Sequence, residues 1–90
     1  MEKKDKETLR KYAYVISSEV RRKIMIALAK KPLTPTQIAE ETELNLSQVS
    51  RNLKSLREKD LVELINPEDK KGRLYRLEED GEWIVEKDKE

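Results

Sequence analysis

The side chains best suited to a chemical task lie between residues 47 and 54. They are two short hydroxyls, one amide and two long cations: Ser47, Gln48, Ser50, Arg51 and Lys54. Hydroxyls and amides can hydrogen-bond to the edges of DNA bases, and arginine can bind guanine or a phosphate group. No carboxylate is among them, although the chain has 19 acidic residues beside 20 basic ones. The pattern favours contact with double-stranded DNA, and the alternative is a solvated helix face without acids.

A second group of cations lies in the polar stretch from residue 66 to residue 73. Its members are Lys70, Lys71 and Arg73. Asn, Pro, Asp and Gly in the same stretch are turn formers, so these cations are expected at the tip of a loop. A basic loop tip suits contact with phosphate or with the minor groove. The alternative is a charged loop that serves only solubility.

The composition argues against most catalytic and metal-binding chemistry. The chain has no cysteine and no histidine, which are the commonest thiolate and imidazole ligands, and histidine is also the usual general base near neutral pH. Catalysis would fall to carboxylates or lysines, and no pair of these stands out from the many solvated charges. We therefore expect no enzyme activity, no metal and no cofactor.

The distribution of hydrophobic residues gives no sign of a membrane segment. No apolar run approaches the ~20 residues of a membrane-spanning helix, and the Lys/Glu-rich start lacks the apolar stretch of a secretory signal. We expect a cytoplasmic protein without membrane contact. The abundance of Lys and Glu is also typical of proteins from hyperthermophiles, which is a hypothesis about the source.

The net charge of +1 conceals a strong segregation of charge along the chain. The local net charge is +6 over residues 1–31, −3 over residues 32–45, +3 over residues 46–76 and −5 over residues 77–90. A net charge near zero is therefore compatible with one basic and one acidic surface, and only the basic surface would contact DNA.

The candidate base-reading residues lie in the second of two short predicted helices. Thr34 and Gln37 form a capping-box pattern with Pro35 at the first helical position. Asn45 and Gln48 repeat that pattern 11 residues later, which leaves room for two helical turns and a corner. In the second helix, residues 49, 53 and 56 are apolar and mark the buried side. This arrangement over residues 34–59 is typical of a helix-turn-helix.

The remaining elements complete a mostly helical α+β fold in a single domain. Residues 1–7 are expected to fray, residues 8–17 to form an N-terminal helix with an apolar side of Leu9, Tyr12, Ala13 and Ile16, and a second helix to run from about residue 19 to residue 30. The segment around Leu33 is short and extended. Residues 61–77 are predicted to form a β-hairpin in which Val62 and Leu64 pair with Tyr75 and Leu77. Residues 78–90 are predicted to form a C-terminal helix, although Gly81 weakens that prediction.

The two terminal helices carry large side chains that lie outside the central elements. They are Tyr12, Ile16, Trp83 and Ile84. A domain of 90 residues has a thin core, so we expect these helices to pack together in a symmetric homodimer. The alternative is that they pack onto their own subunit, as a lone Trp often does.

Several stretches together resemble the ArsR/MarR-like winged-helix transcription regulators, particularly small archaeal members. The resemblance covers about residues 18–80. It rests on Val20-Arg21-Arg22-Lys23-Ile24, on residues 33–39, on residues 46–56, on Leu61-Val62 and on Tyr75-Arg76-Leu77. The most specific part is the Val-Ser-Arg-x-Leu-x-x-Leu stretch that begins at Val49, because it combines core spacing with a groove-facing Ser and Arg.

The resemblance implies a function and assigns roles to particular residues. It implies that the helix over residues 46–59 enters the major groove, that the hairpin is a wing on the backbone or minor groove, and that the terminal helices form a dimer. It further implies that Thr36 and Gln37 contact phosphate. The chain departs from the pattern at Asn52, where many relatives have His, and at Thr42-Glu43 and Asp60, where Gly is usual. The missing Cys and His argue against the metal sensing of ArsR proteins.

These observations predict a sequence-specific transcription regulator that binds double-stranded DNA as a homodimer. The alternative is a winged-helix module that binds another protein in a transcription complex or other assembly, because a fold alone does not decide function. A large apolar patch on the recognition helix would favour that alternative. Leu46 is the only apolar candidate there.

Overall fold

The computed structural model of the protein describes residues 5–90, which form five helices and one two-stranded sheet. The elements in chain order are α1 (Lys6–Ile16), α2 (Glu19–Lys30), α3 (Pro35–Thr42), α4 (Leu46–Glu58), β1 (Val62–Leu64), β2 (Tyr75–Leu77) and α5 (Glu79–Asp88). The predicted α+β, mostly helical fold is confirmed. Part of the predicted frayed lead, residues 1–4, lies outside the described residues. Helix α1 begins earlier than predicted because the Asp5 carboxylate caps it, accepting a hydrogen bond from the Thr8 N–H at 2.9 Å.

Helix α2 is the central element of the core. It packs against α1, α3, α4, α5 and β2. Its buried side carries Ile24, Met25, Ala27 and Leu28. Because α3 and α4 both pack against this one helix, the orientation of the helix-turn-helix is set by the core of the subunit.

The buried side of α1 differs from the predicted one. Three apolar residues of α1 face solvent: Leu9, Ala13 and Ile16. Thr8 and Val15 are buried in their place. The Thr8 hydroxyl and the Lys11 ammonium both donate to the Asp80 carboxylate of α5, at 3.5 and 3.1 Å. These polar contacts to α5 fix the rotation of α1, so its second apolar stripe is left on the surface.

The hairpin pairs the residues that were predicted to face each other. Val62 pairs with Leu77 and Leu64 pairs with Tyr75 in the antiparallel sheet. Leu33 adds a β-bridge on the other side of Tyr75, as expected for a short extended segment. Tyr75 is therefore held between two neighbouring chain segments, which fixes the base of the hairpin against the helices.

The end of α4 is a tight left-handed turn without glycine. Asp60 has a φ of 60°, and its N–H donates to the carbonyl of Arg57 at 3.0 Å. The N–H of Leu61 donates to the carbonyl of Leu56 at 3.0 Å. These two bonds form a Schellman motif, and the buried side chains of Leu56 and Leu61 supply its hydrophobic contact. The chain is thus turned sharply from the recognition helix into the wing.

Helix α5 packs directly on the backbone at this turn. The Leu61 carbonyl accepts a hydrogen bond from the N–H of Glu78 at 2.9 Å. A Cβ atom at Gly81 would overlap the same carbonyl oxygen and would lie 3.2 Å from Cε of Met25. Gly81 is therefore the residue that allows α5 to approach so closely, and the glycine that weakened the helix prediction has a packing role.

Candidate nucleic-acid interface

Both helices of the helix-turn-helix begin with the predicted capping boxes. The Thr34 hydroxyl accepts from the Gln37 N–H at 3.2 Å, and the Gln37 amide oxygen accepts from the Thr34 N–H at 2.9 Å. Asn45 and Gln48 exchange the same pair of bonds, at 2.8 and 3.3 Å. Each helix start is thus fixed by two reciprocal hydrogen bonds.

Helix α4 has one buried side and one exposed side. Val49, Leu53 and Leu56 are buried in the core. On the opposite side the predicted contact residues Ser47, Ser50, Arg51 and Lys54 are exposed, and Gln48 is half-buried. Thr36 and Gln37 at the start of α3 are exposed as well. The predicted base-reading residues of α4 therefore share one accessible surface.

The two glutamines among the predicted contacts are already engaged in capping. Because the amide oxygens of Gln37 and Gln48 accept backbone N–H groups, the free part of each side chain is its NH₂ group. An NH₂ group can donate to phosphate or to a base acceptor, whereas the paired readout of adenine needs the amide oxygen as well. We therefore expect these glutamines to position the helices and to donate single hydrogen bonds.

The turn between α3 and α4 contains a strained residue. Glu43 has a φ of 63°, in the left-handed region that costs an L-residue about 1–2 kcal/mol. Glycine adopts this conformation freely, which explains why glycine is expected at this position.

Replacing Glu43 by glycine should therefore raise the free energy of unfolding by about 0.5–1 kcal/mol, because the relieved strain exceeds the extra entropy that glycine loses on folding. The guanidinium unfolding midpoint measures this change. Glu43→Ala is the matched control and should not stabilise, since alanine has the same Cβ strain. Equal stabilisation by both variants would contradict the strain explanation.

The tip of the wing is ordered by two polar side chains. Asn66 donates to the Gly72 carbonyl at 2.7 Å and accepts from the Leu74 N–H at 2.7 Å. The Asp69 carboxylate accepts from the N–H groups of Gly72 and Lys71, at 3.0 and 2.9 Å. These bonds lower the pKa of Asp69 because they favour its charged form. Their contribution to stability is complete above the ordinary Asp value of about 3.9 and is lost as the pH falls through the lowered pKa.

The wing cations are accessible at this ordered tip. Lys70, Lys71 and Arg73 are all exposed. Lys70 and Lys71 lie in the turn itself, whereas Arg73 lies nearer β2. The structure therefore separates the predicted wing residues into two at the tip and one on the side that faces α4.

A groove of about 520 Å³ runs between α4 and the wing. It is lined by Ser50, Lys54, Arg57, Glu58, Arg73 and Tyr75. Arg57 and Tyr75 were not among the predicted contact residues. The signal for Arg57 was present in the sequence, because residues 50, 54 and 57 follow the i, i+4, i+7 spacing of one helix face.

Most cations of the helix-turn-helix and the wing differ in pairing from those near α5, the exception being Arg76, which pairs with Glu63. Within residues 5–90, seven cations of this region form no ion pair: Arg51, Lys54, Arg57, Lys59, Lys70, Lys71 and Arg73. By contrast, Lys11 and Arg22 pair with Asp80 and Asp88 of α5, each at 3.1 Å. Positive charge is therefore available on the recognition side and neutralised on the α5 side.

The predicted dimer residues have different environments. Ile84 is 0% exposed and packs in the core of its own subunit, so the prediction that it contacts a partner is wrong. Tyr12 and Trp83 are half-buried and touch each other edge to face, with ring centroids 6.1 Å apart. Ile16 is 38% exposed. The surface available to a partner is therefore the α1 stripe of Leu9, Ala13 and Ile16, with the outer edges of the two aromatic rings.

The described residues provide neither a membrane-spanning helix nor a cluster of metal ligands. No helix of residues 5–90 has the length and apolar character needed to cross a membrane. The same residues contain no group of three or more His, Cys, Asp or Glu side chains placed to hold a metal ion. The expectation that no metal takes part rests on the composition and stays a prediction.

Comparison with known families and structures gives one family and several similar folds. The model of the arsR family of bacterial regulatory proteins matches residues 18–63, which gives no support to the narrower expectation of an archaeal type. No curated protein matches the sequence significantly.

Three solved structures illustrate the similarity of fold. A homodimeric winged helix-turn-helix domain from Mycobacterium bovis has a TM-score of 0.76 and 22% identity over 99% of this chain and 87% of that one. A mutant of Lactococcus lactis ZitR has a TM-score of 0.72 and 23% identity over 80% of this chain and 50% of that one. A mutant of E. coli MarR in complex with operator DNA has a TM-score of 0.69 and 26% identity over 92% of this chain and 61% of that one. The match thus spans half the length of ZitR.

Proposed function

The chain belongs to the arsR family of bacterial regulatory proteins, and we propose that it is a homodimeric transcription regulator that binds a specific sequence of double-stranded DNA. The observation that carries the proposal is a set of exposed cations on α4 and the wing that form no ion pair within residues 5–90, three of which, Lys54, Arg57 and Arg73, line one groove. Unpaired cations can exchange their counterions for DNA phosphates without first breaking an ion pair. Such a regulator works where the chromosome lies, in the cytoplasm.

Sequence reading is assigned to the first turns of α4. In helix-turn-helix proteins the N-terminal residues of the recognition helix contact base edges. Ser47, Ser50 and Arg51 occupy these turns and are exposed, and Arg51 can bind guanine through two hydrogen bonds. Thr36, Gln37 and the wing lysines contact the backbone and set the register of the helix in the groove.

The solvent-facing stripe of α1 supports assembly into a dimer. Leu9 is 48% exposed and Ile16 is 38% exposed, and Ala13 lies between them on the same face. The similar domain from Mycobacterium bovis is itself a homodimer. In a symmetric dimer the two α4 helices would enter successive major grooves about 34 Å apart, so the operator should be an inverted repeat.

Replacing Ile16 by glutamate should dissociate the dimer, because it would bury two carboxylates in a small apolar contact. Light scattering at micromolar concentration should give about twice the 10.6 kDa mass of one chain for the wild type and a single-chain mass for the variant. Ile26→Glu is the matched control, since Ile26 is also exposed but lies on α2 beside α3. A wild-type mass of 10.6 kDa would refute the dimer.

The DNA-binding function is tested by fluorescence anisotropy with a pool of random duplex DNA at low and physiological salt. We expect tight binding at low salt that weakens steeply as salt rises, and repeated selection from the pool should then enrich one inverted repeat. Binding without enrichment would contradict sequence specificity. Absence of binding even at low salt would favour the protein-docking alternative, for which the exposed Leu46 at the start of α4 is the available apolar contact.

A further inference from the structure

The groove between α4 and the wing has two walls of different origin. Ser50, Lys54 and Arg57 form the α4 wall, because they follow one another on a single face of the helix. Arg73 and Tyr75 form the wing wall. The groove therefore brings together cations that are far apart in sequence and that belong to the two elements assigned to DNA.

Both walls are held in place by the core. Tyr75 exchanges two backbone hydrogen bonds with Leu33, at 2.9 and 3.0 Å, and pairs with Leu64 on its other side. The α4 wall is anchored from behind by the buried residues Leu53 and Leu56. The width of the groove is therefore set before any ligand binds, which lowers the entropic cost of binding there.

The chemistry of the groove fits a phosphate group. Lys54, Arg57 and Arg73 form no ion pair within residues 5–90. The hydroxyls of Ser50 and Tyr75 add two hydrogen-bond donors. Arginine in particular matches the geometry of phosphate oxygens. Among residues 5–90, one carboxylate lines the groove, that of Glu58, and it opposes an anionic ligand.

The position of the groove along α4 separates it from the base-reading residues. Arg57 follows Arg51 by six residues, or roughly 9 Å along the helix axis. Since the start of a recognition helix contacts the bases, a residue that far along it comes level with the sugar-phosphate backbone. The groove volume of about 520 Å³ is large enough for a phosphate group.

We propose that this groove binds one phosphate of the DNA backbone in each subunit, with Arg57 and Arg73 as its two principal ligands. The proposal rests on the DNA-binding function proposed above and adds Arg57 to the predicted contact residues as part of a defined phosphate site. It assigns the wing a second task. Besides the contacts of its tip, the wing closes a phosphate site against the recognition helix.

The test is the salt dependence of binding for Arg57→Gln, measured by anisotropy on the random duplex pool. The variant should bind all duplexes several-fold more weakly at physiological salt, and the slope of log affinity against log salt should fall by about 0.9 per subunit. Sequence preference should not change. Arg76→Gln is the matched control, because Arg76 is an exposed arginine of β2 that pairs with Glu63 at 2.9 Å and does not line the groove. Its slope should equal that of the wild type.

A second variant tests the same site in the opposite direction. Glu58→Gln removes the one carboxylate that lines the groove among residues 5–90, so it should strengthen binding to all duplexes. If the wild type binds with a steep salt slope but neither Arg57→Gln nor Glu58→Gln changes affinity, the phosphate site is refuted and the DNA-binding function stands. If the wild type does not bind DNA, both the proposed DNA-binding function and the phosphate site are refuted. Unfolding midpoints near that of the wild type exclude misfolding as the cause of a change.

Discussion

Replacing Gly81 by alanine should lower the free energy of unfolding by about 3 kcal/mol, although alanine is the better helix former by about 1 kcal/mol. The added Cβ would overlap the carbonyl oxygen of Leu61 and press on Cε of Met25. The methionine side chain can move aside, but the Leu61 carbonyl cannot, because it belongs to the turn that ends α4 and accepts the N–H of Glu78. Helix α5 would have to shift outward and give up part of its core contact.

Gly72→Ala is the control for this prediction. A Cβ at Gly72 would meet its nearest neighbour, Oδ2 of Asp69, at an ordinary contact distance of 3.7 Å, and the backbone there does not have a positive φ. Gly72→Ala should therefore change the unfolding free energy by less than about 0.5 kcal/mol. Chemical denaturation measures both variants. A stabilised Gly81→Ala protein would show that the close approach of α5 is not required.

Replacing Arg51 by alanine should weaken binding to the selected operator by about 1–3 kcal/mol, which is roughly 5- to 150-fold. Arg51 is exposed on the face of α4 assigned to the major groove and forms no ion pair within the described chain. If it binds guanine, its loss should also relax the preference at one base step. Anisotropy on the operator and on its single-base variants measures both effects.

Lys71→Ala supplies the contrast to Arg51→Ala. Lys71 is exposed at the tip of the wing, where contacts to phosphate carry no base information. This variant should weaken binding to operator and unrelated duplexes alike and should reduce the salt slope by about 0.9 per subunit. A uniform loss for Arg51→Ala as well would show that Arg51 binds the backbone and does not read a base.

The local structure of the helix-turn-helix could be predicted because short-range chemistry determines it. Thr34 with Gln37 and Asn45 with Gln48 mark the helix starts by bonds that span three residues. The alternation of apolar residues likewise predicts the pairing of Val62 with Leu77. In such segments the residues that determine the structure lie a few residues apart in the chain or on the two adjacent strands of one hairpin.

The features that could not be predicted depend on contacts between distant segments. Helix α1 has two stripes that could face inward, and the choice between them is made by Asp80 of α5, which lies 72 residues after Thr8. From the sequence alone, Gly81 is only a poor helix former. Its packing role depends on the Leu61 carbonyl, which lies close to it in the fold. Ile84 has the apolar character of an interface residue, but its position in α5 places it in the core.

The contact between α5 and the Leu61 carbonyl has a mechanical consequence for the proposed dimer. Leu61 directly follows the turn that ends α4, and the backbone of α5 rests on it without an intervening side chain. A hinge between α4 and α5 would need a compressible layer of side chains between them. We therefore expect each subunit to move as one rigid body. The distance between the two α4 recognition helices would then change only by rotation of the subunits at their interface.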